Sequence, residues 1–279
     1  MSIQTRAGFK KEFLAFFRTN TFLIVACVII GLSIFSPTLM AGLSFMMDAM
    51  SDIYDEMGMD VSDMTGFLST SASLGMTFAI ESIVGTAVIV VLLLINRAAG
   101  GEQKKRAMII PKSAGLRSFA YIFPKFIIYP LAALILAVLA VLAAWPITIL
   151  MFDVNDLLFS NILLAGVLSG VSLMFYICCH LALGTATGKA GMSAAICISA
   201  SIILPLVFAS VSLDYMFNPF ALGYLASFVI QSDTLTGPEL RDITVSVVFA
   251  LGIMLVTYFI ALFAQNARKV YNFGDDIEL

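Results

Sequence analysis

Fourteen of the fifteen Lys and Arg residues in this chain fall in alternate gaps between six long apolar runs. The runs lie at roughly 22–47, 71–96, 126–152, 161–187, 191–213 and 243–265. Arg6, Lys10, Lys11 and Arg18 precede the first, and Arg97, Lys104, Lys105, Arg106, Lys112, Arg117 and Lys125 stand between the second and third. Lys189 separates the fourth from the fifth, and Arg268 and Lys269 follow the sixth; Arg241 alone lies in a gap of the other set. About 20 apolar residues suffice to cross the hydrocarbon layer, and Lys and Arg collect in cytoplasmic loops. The pattern predicts an all-α integral membrane protein, a single domain over 1–279, with six transmembrane helices and both termini cytoplasmic.

Composition agrees. The chain is 61% hydrophobic and 12% charged, against about 45–50% and 25% for a soluble domain. No polar stretch is long enough for a soluble enzyme domain, so nucleotide hydrolysis would have to come from another chain. The net charge of −3 conceals two opposed faces. Twelve acids, from Asp48 to Asp242, map to the outer side, whereas Glu12, Glu102, Asp275, Asp276 and Glu278 map inside. A basic inner face suits anionic lipid headgroups or an acidic partner; nothing in it resembles a nucleic-acid surface. Cys27, Cys178, Cys179 and Cys197 all sit in apolar runs and read as small buried hydrophobes. The first run is too long for a signal-peptide core and is expected to be retained.

Residues 6–20 read as an amphipathic interfacial helix. Phe9, Phe13, Phe16 and Phe17 share one face, with Lys10, Lys11 and Arg18 off it; such a helix lies in the headgroup plane with its aromatic face in lipid. The first span carries Pro37 and stays helical beyond its outer end, with Gly58 as a C-cap. The acids of 48–63 mix with Met, a combination suited neither to soft nor to hard cations, and read as a solvated face rather than a metal site.

Glu81 falls near the middle of the second run, where an ionisable group must face a cavity or a partner. It reads as a lining residue of a substrate path or as a structural hydrogen-bonding group. His180 lies too far along the fourth run to pair with it and reads as a packing histidine. Gly166-x-x-x-Gly170 and Gly184-x-x-x-Gly188 are close-packing spacings, and Pro205 is expected to bend the fifth run. The segment 214–242, with Tyr215, Phe217, Phe220, Tyr224 and Phe228 around Asn218-Pro219, is too short to cross and reads as re-entrant or interfacial.

Catalytic vocabulary is sparse. Gly184–Ala190 falls short of a P-loop by one residue and places Ala190 where Mg²⁺ needs Ser or Thr. Ser169 and His180 are eleven residues apart on one helix, about 16 Å, and cannot pair. No catalytic residue and no metal ligand is expected.

The loop after the second run carries Gly101-Glu102-Gln103-Lys104-Lys105-Arg106, then Ile109-Ile110-Pro111-Lys112-Ser113, then Lys125. This resembles the loop between spans 2 and 3 of ABC-2 type transporter permeases. The Phe-rich N-terminal helix, Pro37, the six spans and Asn218-Pro219-Phe220 agree with it; Lys105-Arg106-Ala107 departs from the Arg-Gly-Thr often found there. The resemblance implies the membrane subunit of an ATP-driven exporter in a prokaryotic plasma membrane. A second permease subunit would pair with it, and two ATPase subunits carrying ATP and Mg²⁺ would dock beneath. A short coupling helix around 98–115, with Gly101, Glu102, Lys104, Lys105, Arg106 and Pro111, would contact the ATPase. Glu81 would face the substrate path formed by spans 1, 2 and 5. A membrane scaffold or sensor without transport, and an ion-coupled carrier, are the alternative readings.

Overall fold

The computed structural model describes residues 3–56, 71–102, 115–152, 157–210, 217–232 and 235–267, and among them all regular structure is helical. In chain order the helices are α1 (Ile3–Arg18), α2 (Thr21–Glu56), α3 (Ala72–Gly101), α4 (Ser118–Phe152), α5 (Phe159–Thr187), α6 (Ala190–Ser210), α7 (Leu222–Gln231) and α8 (Gly237–Ala267). Six of them, α2 to α6 and α8, are long and apolar enough to cross a membrane. The protein is therefore a multi-pass, all-helical membrane-type chain.

α5 is the most buried span and packs against α4, α8, α7 and α6. Its small residues explain that position. A Cβ on Gly166 would lie 3.4 Å from the Val138 backbone, and one on Gly170 would lie 3.0 Å from that of Leu134; only side-chain-free positions let α4 come so close. Gly184 meets the end of α3 in the same way, its Cβ position 2.8 Å from the Ala99 carbonyl carbon, while Gly188 adopts φ 70° and caps α5. The two glycines that superficially suggest a nucleotide loop thus perform separate packing and capping roles. Gly184→Val should cost about 1–3 kcal/mol, read as a lower Tm of the solubilised protein. Gly252→Ala, where an added Cβ meets nothing within 4 Å, should leave Tm unchanged.

Three boundaries differ from the sequence expectation. α4 begins at Ser118, not near 126, so Lys125 lies inside a helix rather than at the head of one. The stretch from Phe119 to Phe126 is apolar enough to continue the span, and Lys125 finds internal partners there. Pro124 within it removes the donor that would serve the Ala120 carbonyl, and Gly8 of α1 packs directly over that oxygen. α8 begins at Gly237 because Thr236 donates its backbone N–H and hydroxyl to Glu239, at 2.7 and 2.8 Å, closing the first turn ahead of the apolar run. α3 runs five residues beyond 96 and contains two π-helical turns, Ile83–Ala87 and Arg97–Gly101. Such turns recur at functional sites, and each lies beside one of the regions described next.

The Phe stripe of α1 is divided rather than presented whole to lipid. Phe16 is 2% exposed and packs edge-on against Tyr129, and Phe9 meets Phe123. Phe13 and Phe17 remain 51% and 41% exposed. The inward face therefore runs through Thr5, Phe9, Glu12 and Phe16, against α4. Cys27 also departs from expectation: it is exposed on α2, whereas Cys178 and Cys197 are buried. Gly58 and the acids Asp60 and Asp63 lie outside the described residues.

Candidate functional site

Two regions carry chemistry, one at each π turn of α3. The first is an ionic junction where α1, the end of α3 and the start of α4 meet. Lys125, 1% exposed, sits at its centre. Its ammonium donates to the Ala98 carbonyl at 2.9 Å, to Glu102 Oε2 at 2.9 Å and to the Tyr121 hydroxyl at 2.8 Å. All three donors of the ammonium are thereby matched, as a buried cation requires. Tyr121 donates its own O–H to Glu102 Oε2 at 2.8 Å. Lys11 on α1 reaches the same carboxylate from the outside, 2.9 Å from Oε1. Glu12, buried on the inner face of α1, accepts from Tyr129 at 3.2 Å and lies 3.2 Å from Lys11.

The electrostatics follow. Burial raises the Glu102 pKa, but Lys125 and Lys11 outweigh it and hold the carboxyl at about 2. Burial pulls the Lys11 pKa down, and the charges of Glu12 and Glu102 more than reverse this and raise it. A cavity of ≈ 90 Å³, lined by Glu12, Thr19, Arg97, Glu102 and Tyr129 among others, borders the junction. Lys11 is about half exposed, so Lys11→Met should cost under about 1 kcal/mol, a small Tm shift beside that expected for a change at Lys125.

Beyond Glu102, α1 makes a second hold on the same connection. Gln4 Nε2 donates to the Gly115 carbonyl at 3.2 Å, and Gln4 Oε1 accepts from the Arg117 N–H at 3.4 Å. Gly115 has φ 84°, a left-handed conformation that glycine tolerates. The two flanks of segment 103–114 are therefore both fastened to one helix. Lys104, Lys105, Arg106 and Pro111 lie within that segment, outside the described residues.

The second region is a niche of ≈ 340 Å³ beside the Ile83–Ala87 turn. Its walls come from α3, α5, α6 and the segment that carries Asn218 and α7. Asn218 accepts from the Phe220 N–H at 3.0 Å and opens a 3-10 turn. Phe220 packs against Phe175 and Tyr176 of α5. α7 then runs along α3 and α5, with Gly223 directly against Val84 and Gln231 Nε2 3.3 Å from Thr77 Oγ1. Glu81 is exposed to this niche and makes no hydrogen bond or ion pair among the described residues.

His180 is fully buried elsewhere, on α5. Ser193 donates its proton to the His180 carbonyl at 2.7 Å, so the His180 Nδ1–H donates in turn to Ser193 Oγ, also at 2.7 Å. Its Nε2 has no hydrogen-bond partner among the described residues. The histidine fastens α5 to α6 and stands apart from Glu81. No family model and no curated protein matches this chain.

The structure thus gathers Glu102, Lys11, Phe9 and Phe16 at one place and puts Glu81 at another, while Lys10, Phe13, Phe17 and Arg18 remain exposed. Sequence reasoning gave no role to Glu12, Tyr121 or Tyr129, and placed Lys125 at the boundary that opens the third span. Glu12 had a signal. On a helical wheel it stands on the same side as Phe9 and Phe16, where a carboxylate in lipid would be costly.

Proposed function

We propose that this chain is the membrane-spanning subunit of an ATP-driven exporter of the ABC-2 type, moving a hydrophobic or amphipathic substrate outward. ATP hydrolysis resides in separate ATPase subunits beneath the basic face, and a second permease subunit completes the path. In this reading α1 is the interfacial helix, the stretch around 98–115 carries the coupling element, with its described part up to Glu102 closing α3 rather than opening a separate helix, and the Asn218–Gln231 stretch is a re-entrant segment on the outer side. The observation that carries it is the double hold of α1 on the two flanks of that segment, Lys11 on Glu102 and Gln4 on Gly115 and Arg117. A helix so fastened moves with Glu102 and with the Gly115–Arg117 flank as one body, and the buried Lys125 passes that motion to the base of α4. A rigid-body displacement of this kind is a recognised route from a cytosolic engine to a membrane path.

The test is to loosen both holds at once. The double variant Gln4→Ala with Lys11→Met should retain its ATPase partner and its ATP hydrolysis but lose most substrate efflux from vesicles. Unchanged efflux would contradict the lever. Efflux driven by an ion gradient without ATP would favour the carrier reading instead.

A further inference from the structure

The niche beside Glu81 has a chemistry of its own. Among the described residues that line it, Glu81 is the one charged side chain. Around it stand the rings of Tyr176, Phe220 and Tyr224, the hydroxyl of Ser227, and Gly85 in the π turn. Among the described residues neither a Lys nor an Arg lines the space. Glu81 lies nine residues into α3, about 14 Å along the helix axis from its first residue. An ionised carboxylate at that position without a partner is costly in a membrane, and a bound cation would remove the cost.

A metal ion does not suit the site. Hard divalent ions need several oxygen ligands, and one carboxylate with a hydroxyl or two falls short. Among the described residues no group of three or more His, Cys, Asp or Glu could hold a metal. Aromatic rings beside a carboxylate instead suit a soft organic cation, held by charge on one side and by ring faces on the others. The volume of ≈ 340 Å³ falls at the lower end of the range for drug-sized ligands.

We infer that the niche between α3, α5, α6 and the Asn218–Gln231 segment is a binding site for organic cations with an apolar, aromatic body, with Glu81 as the counter-ion. This deepens the exporter reading by naming its substrate class, and rests on it for the direction of movement. The attraction is long-range and the rings are apolar, so shape is secondary: charge sign should decide entry, and bulk should decide fit. A second wall offers an independent handle. Gly85 lines the niche and a Cβ there meets nothing within 4 Å, so a larger side chain adds bulk at this wall without displacing backbone.

The test uses the purified full-length chain in nanodiscs, without an ATPase, and radiolabelled tetraphenylphosphonium as the probe. Radiolabelled tetraphenylborate, of matching shape and opposite charge, is assayed separately, because the two ions precipitate together. The expected result is saturable binding of the cation and none of the anion. Glu81→Gln should weaken it at least about tenfold, Glu81→Asp should keep part of it, and Gly85→Leu should abolish it while the carboxylate stays in place. Absence of saturable binding by the unaltered protein would overturn the inference. So would equal saturable binding of the anion, or unchanged affinity in either Glu81→Gln or Gly85→Leu. Should Glu81→Gln not fold, the separate anion measurement and Gly85→Leu decide the matter. Because the assay needs no ATPase, its failure leaves the exporter reading standing. Conversely, saturable cation binding by a chain that couples to no ATPase would sink the exporter reading and keep the site.

Discussion

Glu102→Gln is expected to be among the most damaging single substitutions in this chain, at about 3–5 kcal/mol. The change is nearly isosteric, so packing is preserved. What it removes is the negative charge opposite Lys125, whose ammonium is 1% exposed and 2.9 Å from the carboxylate. A buried cation stripped of its nearest counter-charge, with only Glu12 left at 3.9 Å, is costlier than the pair itself is stabilising. The double variant Glu102→Gln with Lys125→Met should therefore recover part of the loss, because it removes both ends of the interaction. Thermal unfolding in detergent of the two single variants and the double one measures the coupling; additive losses would show that the pair is independent and the junction loose. A pH signature accompanies it. Glu102 is held below the ordinary 4.5, at about 2, so it contributes stability that is fully present above about 4.5 and lost as pH falls toward 2. Glu102→Gln should flatten that acid limb of the Tm profile.

The same junction shows where sequence is informative and where it stops. The six spans were legible because hydrophobicity over 20 or so residues is a local property, and the close approaches at Gly166, Gly170 and Gly184 were legible from spacing alone. The partners of Glu102 were not. Lys11 is 91 residues away and Lys125 is 23 residues away, and nothing local says that a basic residue at the edge of an apolar run points inward. Lys125 reads as a boundary because a charge lowers hydropathy, yet the helix passes through it once Ala98, Glu102 and Tyr121 supply partners. The Phe stripe failed for a related reason: lipid and protein are equally apolar, so periodicity fixes the face but not what covers it. Glu81 was legible as an oddity, and its setting was not, since the niche is built by α7, which packs against two spans distant in sequence.

The second large effect concerns the basic loop. If the proposed exporter reading holds, reversing Lys104, Lys105 and Arg106 together to Glu should weaken association with a partner ATPase by well over tenfold, more than about 1.4 kcal/mol, and abolish coupled ATP hydrolysis. The reason is electrostatic complementarity: like charges brought together across an interface cost several kcal/mol. Glu102 belongs outside this set, because its carboxylate is already engaged by Lys11 and Lys125; reversing it would mix a folding defect into the readout. Fold retention in the triple variant is checked by an unchanged Tm, and association by co-purification of the two chains. Intact association and hydrolysis after the triple reversal would show that the loop is not the docking element.

The most direct measurement places a photo-crosslinking amino acid at position 105 in living cells and identifies what it captures. The exporter account predicts one dominant product, a cytosolic chain with its own ATP-binding loop, lost when Lys104 and Arg106 are reversed. A residue at 105 that captures no nucleotide-binding chain, and that a membrane-impermeant reagent labels from outside the cell, would contradict it.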